Sequence, residues 1–165
     1  MSSLIRTARM AELAPALLGA AALFALMLMT FADVVLRSAF DAPLPAATEL
    51  TRILMAVVVF SGIPIISAKG NHISVDLLDS FFPRRIRVIR DALICIACGV
   101  LLYWPAERVM VLAERARSYG DVTEYLAIPE VYPAMFIGYA VYLTAALMVL
   151  RGIALIVAPR ALGQE

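Results

Sequence analysis

Apolar residues run in four long blocks along the chain, and the charged residues gather between them. The blocks cover residues 13–36, 50–68, 86–106 and 131–158. A helix rising about 1.5 Å per residue needs roughly 20 apolar residues to cross about 30 Å of hydrocarbon, so each block is read as a membrane-spanning helix. The third is the shortest, because only residues 92–106 lie uncharged between Asp91 and Glu107. It spans if Arg87 and Arg90 extend to the headgroups and Trp104 takes the far interface. Pro105 is expected to kink this helix rather than end it, since AERVMVLAERARSYG stays helix-compatible up to Gly120. The pattern predicts an all-α membrane protein, with residues 1–165 forming one four-helix integral membrane domain.

Between the second and third blocks the period changes. Gly70 and Asn71 suit the end of a helix, with Lys69 in its last turn to match the macrodipole. Ser74 is a good N-cap, and Asp76 sits well in the first turn after it. At about 100° per residue, Val75, Leu77, Leu78, Phe81 and Phe82 fill one side, while Asp76, Asp79 and Ser80 fill the other. Pro83 stops the pattern. Residues 74–82 are too few to span, so a short amphipathic helix lying in the cytoplasmic-side interface is expected. Arg84, Arg85, Arg87 and Arg90 follow it as anchors to anionic lipid.

Composition supports a bilayer as the main solvent. Of the 165 residues, 63% are hydrophobic and 16% charged, against about 45–50% apolar and about 25% charged in soluble domains. Mean hydropathy is +0.90. A net charge of +1 gives no indication of nucleic acid as a partner. At the N-terminus the uncharged run 13–32 exceeds the roughly 7–15 residues of a signal h-region, so a retained anchor is expected. Cys95 and Cys98 form a C-x-x-C inside an apolar run, with no second pair and with the histidine far away. Three residues apart on a helix they share a packing face, and no metal site is expected.

The cations then set an orientation. With four spans, the termini and the 69–90 loop share one side, which holds nine: Arg6, Arg9, Lys69, Arg84, Arg85, Arg87, Arg90, Arg151 and Arg160. The other side holds five: Arg37, Arg52, Arg108, Arg115 and Arg117. The positive-inside rule places both termini in the cytoplasm.

Candidate chemistry is sparse. The centres of the four spans, drawn as above, carry no carboxylate, lysine or histidine. Asp33 lies near the outer end of the first, one turn from Arg37, and is read as an interfacial i, i+4 pair. Glu49 suits the electropositive start of the second, with Arg52 close by. His72 and Asp76 are four apart and are read as ordering the loop by a hydrogen bond. No nucleophile–base–orienter set appears, so an enzyme is not expected. The outer segment 107–130, punctuated by Gly120, Pro129 and Pro133, is either a solvated loop or a docking surface.

Three stretches together resemble a known family. FDAPLPAATELTR (40–52), GNHISVDLLDSFFPRRIR (70–87) and GDVTEYLAIP (120–129) are similar to the small permease subunit of tripartite ATP-independent periplasmic (TRAP) transporters. The family's elements fall on Pro43, Leu44, Glu49 and Arg52, then on Gly70, His72, Ile73, Val75 and Asp76. A third group falls on Gly120, Thr123, Leu126, Ile128 and Pro129. Many members carry an aromatic residue shortly after the Pro-Leu, where this chain has Pro45, Ala46 and Ala47.

The resemblance implies a multi-pass protein of the bacterial cytoplasmic (inner) membrane. Its partners would be a large multi-span permease subunit, in a 1:1 ratio, a periplasmic substrate-binding protein and membrane lipids. Sodium and substrate, an organic acid, would be held by the large subunit, which moves by an elevator-type motion. The small subunit would brace that subunit and help dock the binding protein, with no cofactor or substrate site of its own. The alternative reading from another class is an independent homodimeric four-helix carrier with Asp33 as its proton site.

Overall fold

The computed structural model describes the backbone of residues 2–69 and 84–157, and the side chains of residues 13–67, 86 and 88–157. Four helices make up almost all of it: α1 (Ser2–Phe40), α2 (Ala47–Lys69), α3 (Arg84–Tyr119) and α4 (Val131–Val157). Each contains a stretch long and apolar enough to cross a membrane. Among the described residues there is no strand, only an isolated antiparallel bridge between Val122 and Pro129. The expected 74–82 helix, with Gly70, His72 and Asp76, lies outside the described residues. So do the side chains of Arg84, Arg85 and Arg87, whose backbone opens α3.

The third helix departs most from its expected span of 86–106. As the helix-compatible stretch up to Gly120 implied, it runs on through Pro105 to Tyr119, 36 residues in all. A proline removes one backbone donor, but packing on both sides of it holds the helix. Ala106 is fully buried, and Tyr103 meets Tyr142 of α4 edge-on with ring centroids 5.5 Å apart. Residues 107–119, read as part of an outer segment, are therefore helical. Gly120, at φ +70°, ends α3 in the left-handed conformation open to glycine. The Asp121 N–H then reaches the Ala116 carbonyl at 3.0 Å, the 6→1 bond of a Schellman cap.

Helix α1 packs on α2, α2 on α4 and α4 on α3, so the four form a row with α1 and α3 at its ends. Small residues make the α3–α4 seam. Ala92, Gly99, Ala106 and Ala113 recur every seventh position of α3 and are all buried, the spacing of an antiparallel or parallel helix seam. Gly138, Thr144, Ala145, Met148, Gly152 and Leu155 are buried on α4. In a bilayer, lipid tails compete equally for apolar side chains, so close backbone approach through small residues drives helix association. The row leaves broad faces open: the most apolar window of α1 is only 6% buried, and that of α4 22%.

Candidate functional site

The polar structure concentrates at one end of the row, where α1 and α3 finish and α2 and α4 begin. Two carboxylates organise this turn end. Asp33, about two turns before the end of α1, accepts the Leu44 N–H at 2.8 Å and the Arg37 guanidinium at 3.1 Å. The i, i+4 pair expected from the sequence is present, but the bond to Leu44 is the larger organising contact. It fixes the connection 41–46 over the end of α1, where Asp41 holds φ 51°. Aspartate tolerates that left-handed conformation better than most residues. The Leu44 carbonyl in turn accepts the Ala47 N–H at 3.1 Å as α2 starts.

Glu49 does more than meet a helix dipole. It is 8% exposed, in the first turn of α2, and its two oxygens accept the N–H groups of Tyr125 and Leu126 at 2.8 and 3.1 Å. The Thr123 hydroxyl and the Glu124 N–H also lie close to it. A single carboxylate thus gathers up the donors of a turn 76 residues away. Carboxylate acceptors make hydrogen bonds about twice as strong as neutral ones.

That turn is self-braced as well. Thr123 N–H donates to the Ile128 carbonyl at 3.0 Å, and Ala127 N–H to the Thr123 carbonyl at 3.1 Å. The Thr123 hydroxyl accepts the Ile128 N–H at 3.1 Å, and Glu130 N–H reaches the Asp121 carbonyl at 3.1 Å. Ala127 is forced to φ 50° by this winding. Pro129, without an N–H, takes part through its carbonyl, which accepts the Tyr132 N–H at 3.3 Å as α4 begins. The outer surface of the turn carries Asp121, Glu124, Tyr125 and Glu130, all exposed.

The structure therefore joins Leu44 to Asp33, and Glu49 to the turn that Thr123 braces, within one rim closed by Gly120 and Pro129. Pro43 and Arg52 are exposed and stand outside these bonds. Sequence reasoning missed the Asp33–Leu44 and Glu49–turn contacts. Neither leaves a local signal, since each partner is a backbone amide distant along the chain.

At the opposite end, Arg90 holds the Asp91 carboxylate at 2.8 Å. Arg151 of α4 reaches Cys95 of α3. Cys95 and Cys98 are unoxidised and half-buried. No group of three or more histidine, cysteine or acidic residues suited to a metal ion occurs among the described residues.

A row of four membrane-crossing helices, whose polar residues secure its own turns, defines a polytopic membrane subunit. The sequence profile of the DctQ component of tripartite ATP-independent periplasmic transporters matches residues 26–160. The chain belongs to that family, the small permease component of these transporters. No curated protein matches the sequence.

Proposed function

We propose that this chain is the small subunit of a sodium-coupled, binding-protein-dependent transporter of organic acids in the bacterial cytoplasmic membrane. It braces the large permease subunit, one copy to one, and helps dock the periplasmic binding protein. Substrate and sodium are held by the large subunit. The turn end faces the periplasm and both termini the cytoplasm, as the arginine bias favours. The observation that carries this reading is Glu49, which ties the 121–130 turn to α2 and makes the ends of both hairpins one rim. A rim held by backbone bonds can present Asp121, Glu124 and Glu130 in a fixed arrangement to a soluble partner, at no cost in loop ordering on contact.

The row of helices supports the bracing role. A row has more perimeter than a closed bundle of the same helices, and so widens the footprint of whatever it joins. A subunit beside an elevator-type domain has to resist tilting. Arg84, Arg85, Arg87 and Arg90 serve in this reading as anchors in the anionic headgroups on the cytoplasmic side, together with the interfacial helix proposed for 74–82. Asp33 is occupied by Leu44 and Arg37, which favours a structural part for it over that of a proton carrier.

The test is purification of the tagged chain from its host in mild detergent, with mass spectrometry of its companions and uptake by proteoliposomes. A larger polytopic protein in stoichiometric amount, and uptake that needs both with the binding protein, is the expected result. A homodimer that transports alone would overturn the reading and return Asp33 to the centre.

A further inference from the structure

The α3–α4 register fixes which residues share a depth. Met110 lies against Gly138, Ala145 and Val149 against Gly99, and Ala92 and Ile96 against Gly152. Tyr103 meets Tyr142 between them. The pair is antiparallel, and residues 131–150 of α4, which are uncharged, lie alongside the part of α3 that carries Glu107, Arg108, Glu114 and Arg115. Arg151 lies beside Cys95. From that level to Glu107 is about 18 Å along the axis, little more than half of the roughly 30 Å hydrocarbon core. No placement of this hairpin in a bilayer leaves Arg151, Glu107 and Arg108 all outside the hydrocarbon.

The Glu49 contact decides which of them is inside. It sets the 121–130 turn level with the first turn of α2, and α2 runs only 23 residues, to Lys69. That is about 34 Å, one membrane thickness. The turn then sits at the interface, and Glu107, twelve residues before Tyr119, lies about 18 Å below the end of α3, at the depth of lipid tails. The span drawn from sequence as 86–106 had put both charges outside. Ionised groups at that depth are expensive unless they meet a polar partner. Arg108 makes no hydrogen bond or ion pair among the described residues, and both side chains are exposed. Arg108 falls on the edge of α3 turned away from α4, in line with Leu101, Trp104, Leu112 and Arg115, of which Trp104 is 80% exposed. Helix α3 ends the row, so among the described residues no other helix of this chain packs there.

We infer that this free edge of α3 seats a membrane-embedded helix of the large permease subunit, which brings an acidic side chain or free carbonyl to Arg108. Glu107 lies on the neighbouring flank, beside Tyr142 of α4. The inference rests on the subunit reading above and names the surface through which the two chains meet. A buried charge pair in a bilayer fixes depth and register more than it adds affinity, which is what a brace beside a moving domain requires.

The test uses the complete transporter, expressed in its host with a photo-crosslinking phenylalanine analogue at position 104, 108 or 112, and at 17 and 24 on α1 for comparison. Adducts to the large subunit from the three α3 positions are expected. Adducts only to a second copy of this chain, or to lipid, in a preparation that still contains the large subunit would overturn the inference and leave the subunit reading intact. Absence of the large subunit from the unmodified preparation would overturn both. As a second readout, the reversal Arg108→Glu is expected to lower recovery of the large subunit by about tenfold. Arg108→Lys, which keeps the charge, should recover most of it. Equal recovery from the reversed chain, with helicity unchanged, would refute the charge pairing.

Discussion

Replacing Gly99 and Gly152 by alanine tests the packing that holds the α3–α4 hairpin. A Cβ on Gly152 would stand 2.6 Å from Ile96 Cγ1, 2.9 Å from the Ala92 carbonyl oxygen and 3.2 Å from the Ile96 nitrogen. A Cβ on Gly99 would meet Val149 Cγ2 at 2.7 Å, the Ala145 carbonyl oxygen at 2.9 Å and the Val149 nitrogen at 3.1 Å. The side-chain atoms can rotate away, but the backbone atoms cannot. Restoring ordinary contact parts the helices by ~0.5 Å, and a gap of that size forfeits about a quarter of the dispersion well for each facing pair. Overpacking of this kind costs about 1–3 kcal/mol, and alanine returns up to about 1 kcal/mol over glycine in a helix. The net loss is about 1 kcal/mol for each single substitution and about 2 kcal/mol for the double. Gly62→Ala is the control, because nothing lies within 4 Å of its Cβ position; it should be neutral or stabilising by less than about 1 kcal/mol. The assay is loss of helicity as purified protein in mild micelles is titrated with a denaturing detergent. A double variant that unfolds at the same detergent fraction as the parent, or alongside Gly62→Ala, would refute the claim that close backbone approach holds this seam.

Glu49→Ala should release the Tyr125 and Leu126 amides, raising their hydrogen-exchange rates while the amides of the α3–α4 seam keep theirs; unchanged rates at 125 and 126 would show that the turn braces itself. Asp33→Asn retains an oxygen for the Leu44 N–H, so uptake by the whole transporter should be unaffected, and abolished uptake would favour the carrier alternative. Reversing Glu124 and Glu130 together to lysine should weaken capture of the binding protein by the reconstituted membrane complex, read by surface binding; unchanged affinity and transport would exclude this face. Neutralising Arg84, Arg85 and Arg87 to glutamine should reduce the preference of the purified chain for vesicles containing anionic lipid, measured by native lipid retention, and an unaltered preference would remove them as anchors.

The four helices were legible because each obeys a rule that acts within the segment itself: sustained apolar length, a first-turn acid at Glu49, a glycine at 120. The end of α3 was legible for the same reason, since the stretch after Pro105 stays helix-compatible up to Gly120. What lies between segments was not legible. The 11-residue reach from Asp33 past Arg37 to Leu44 is a local detour, yet its donor is a backbone amide that any residue but proline supplies. The Glu49 bonds cross 76 residues and again end on amides. Sequence types mark donors on side chains, whereas both carboxylates are spent on the main chain, so only the folded turns disclose what they hold.

The depth of Glu107 and Arg108 follows the same logic one level up. Hydropathy places a charge by its neighbours in sequence, and by that measure the two residues close the third span. Their depth is set instead by the helix beside them, through the glycine contacts of α4, and by Glu49, which fixes where the 121–130 turn stands relative to α2. Three contacts in series, α2 to the turn, the turn to α4, and α4 to α3, thus move a surface charge into the bilayer. Each is short and backbone-anchored, so the row resists sliding of one helix past another. A subunit assembled in this way can hold a polar pair at fixed depth for a neighbour to meet, which a looser bundle stabilised by interchangeable apolar contacts would not do.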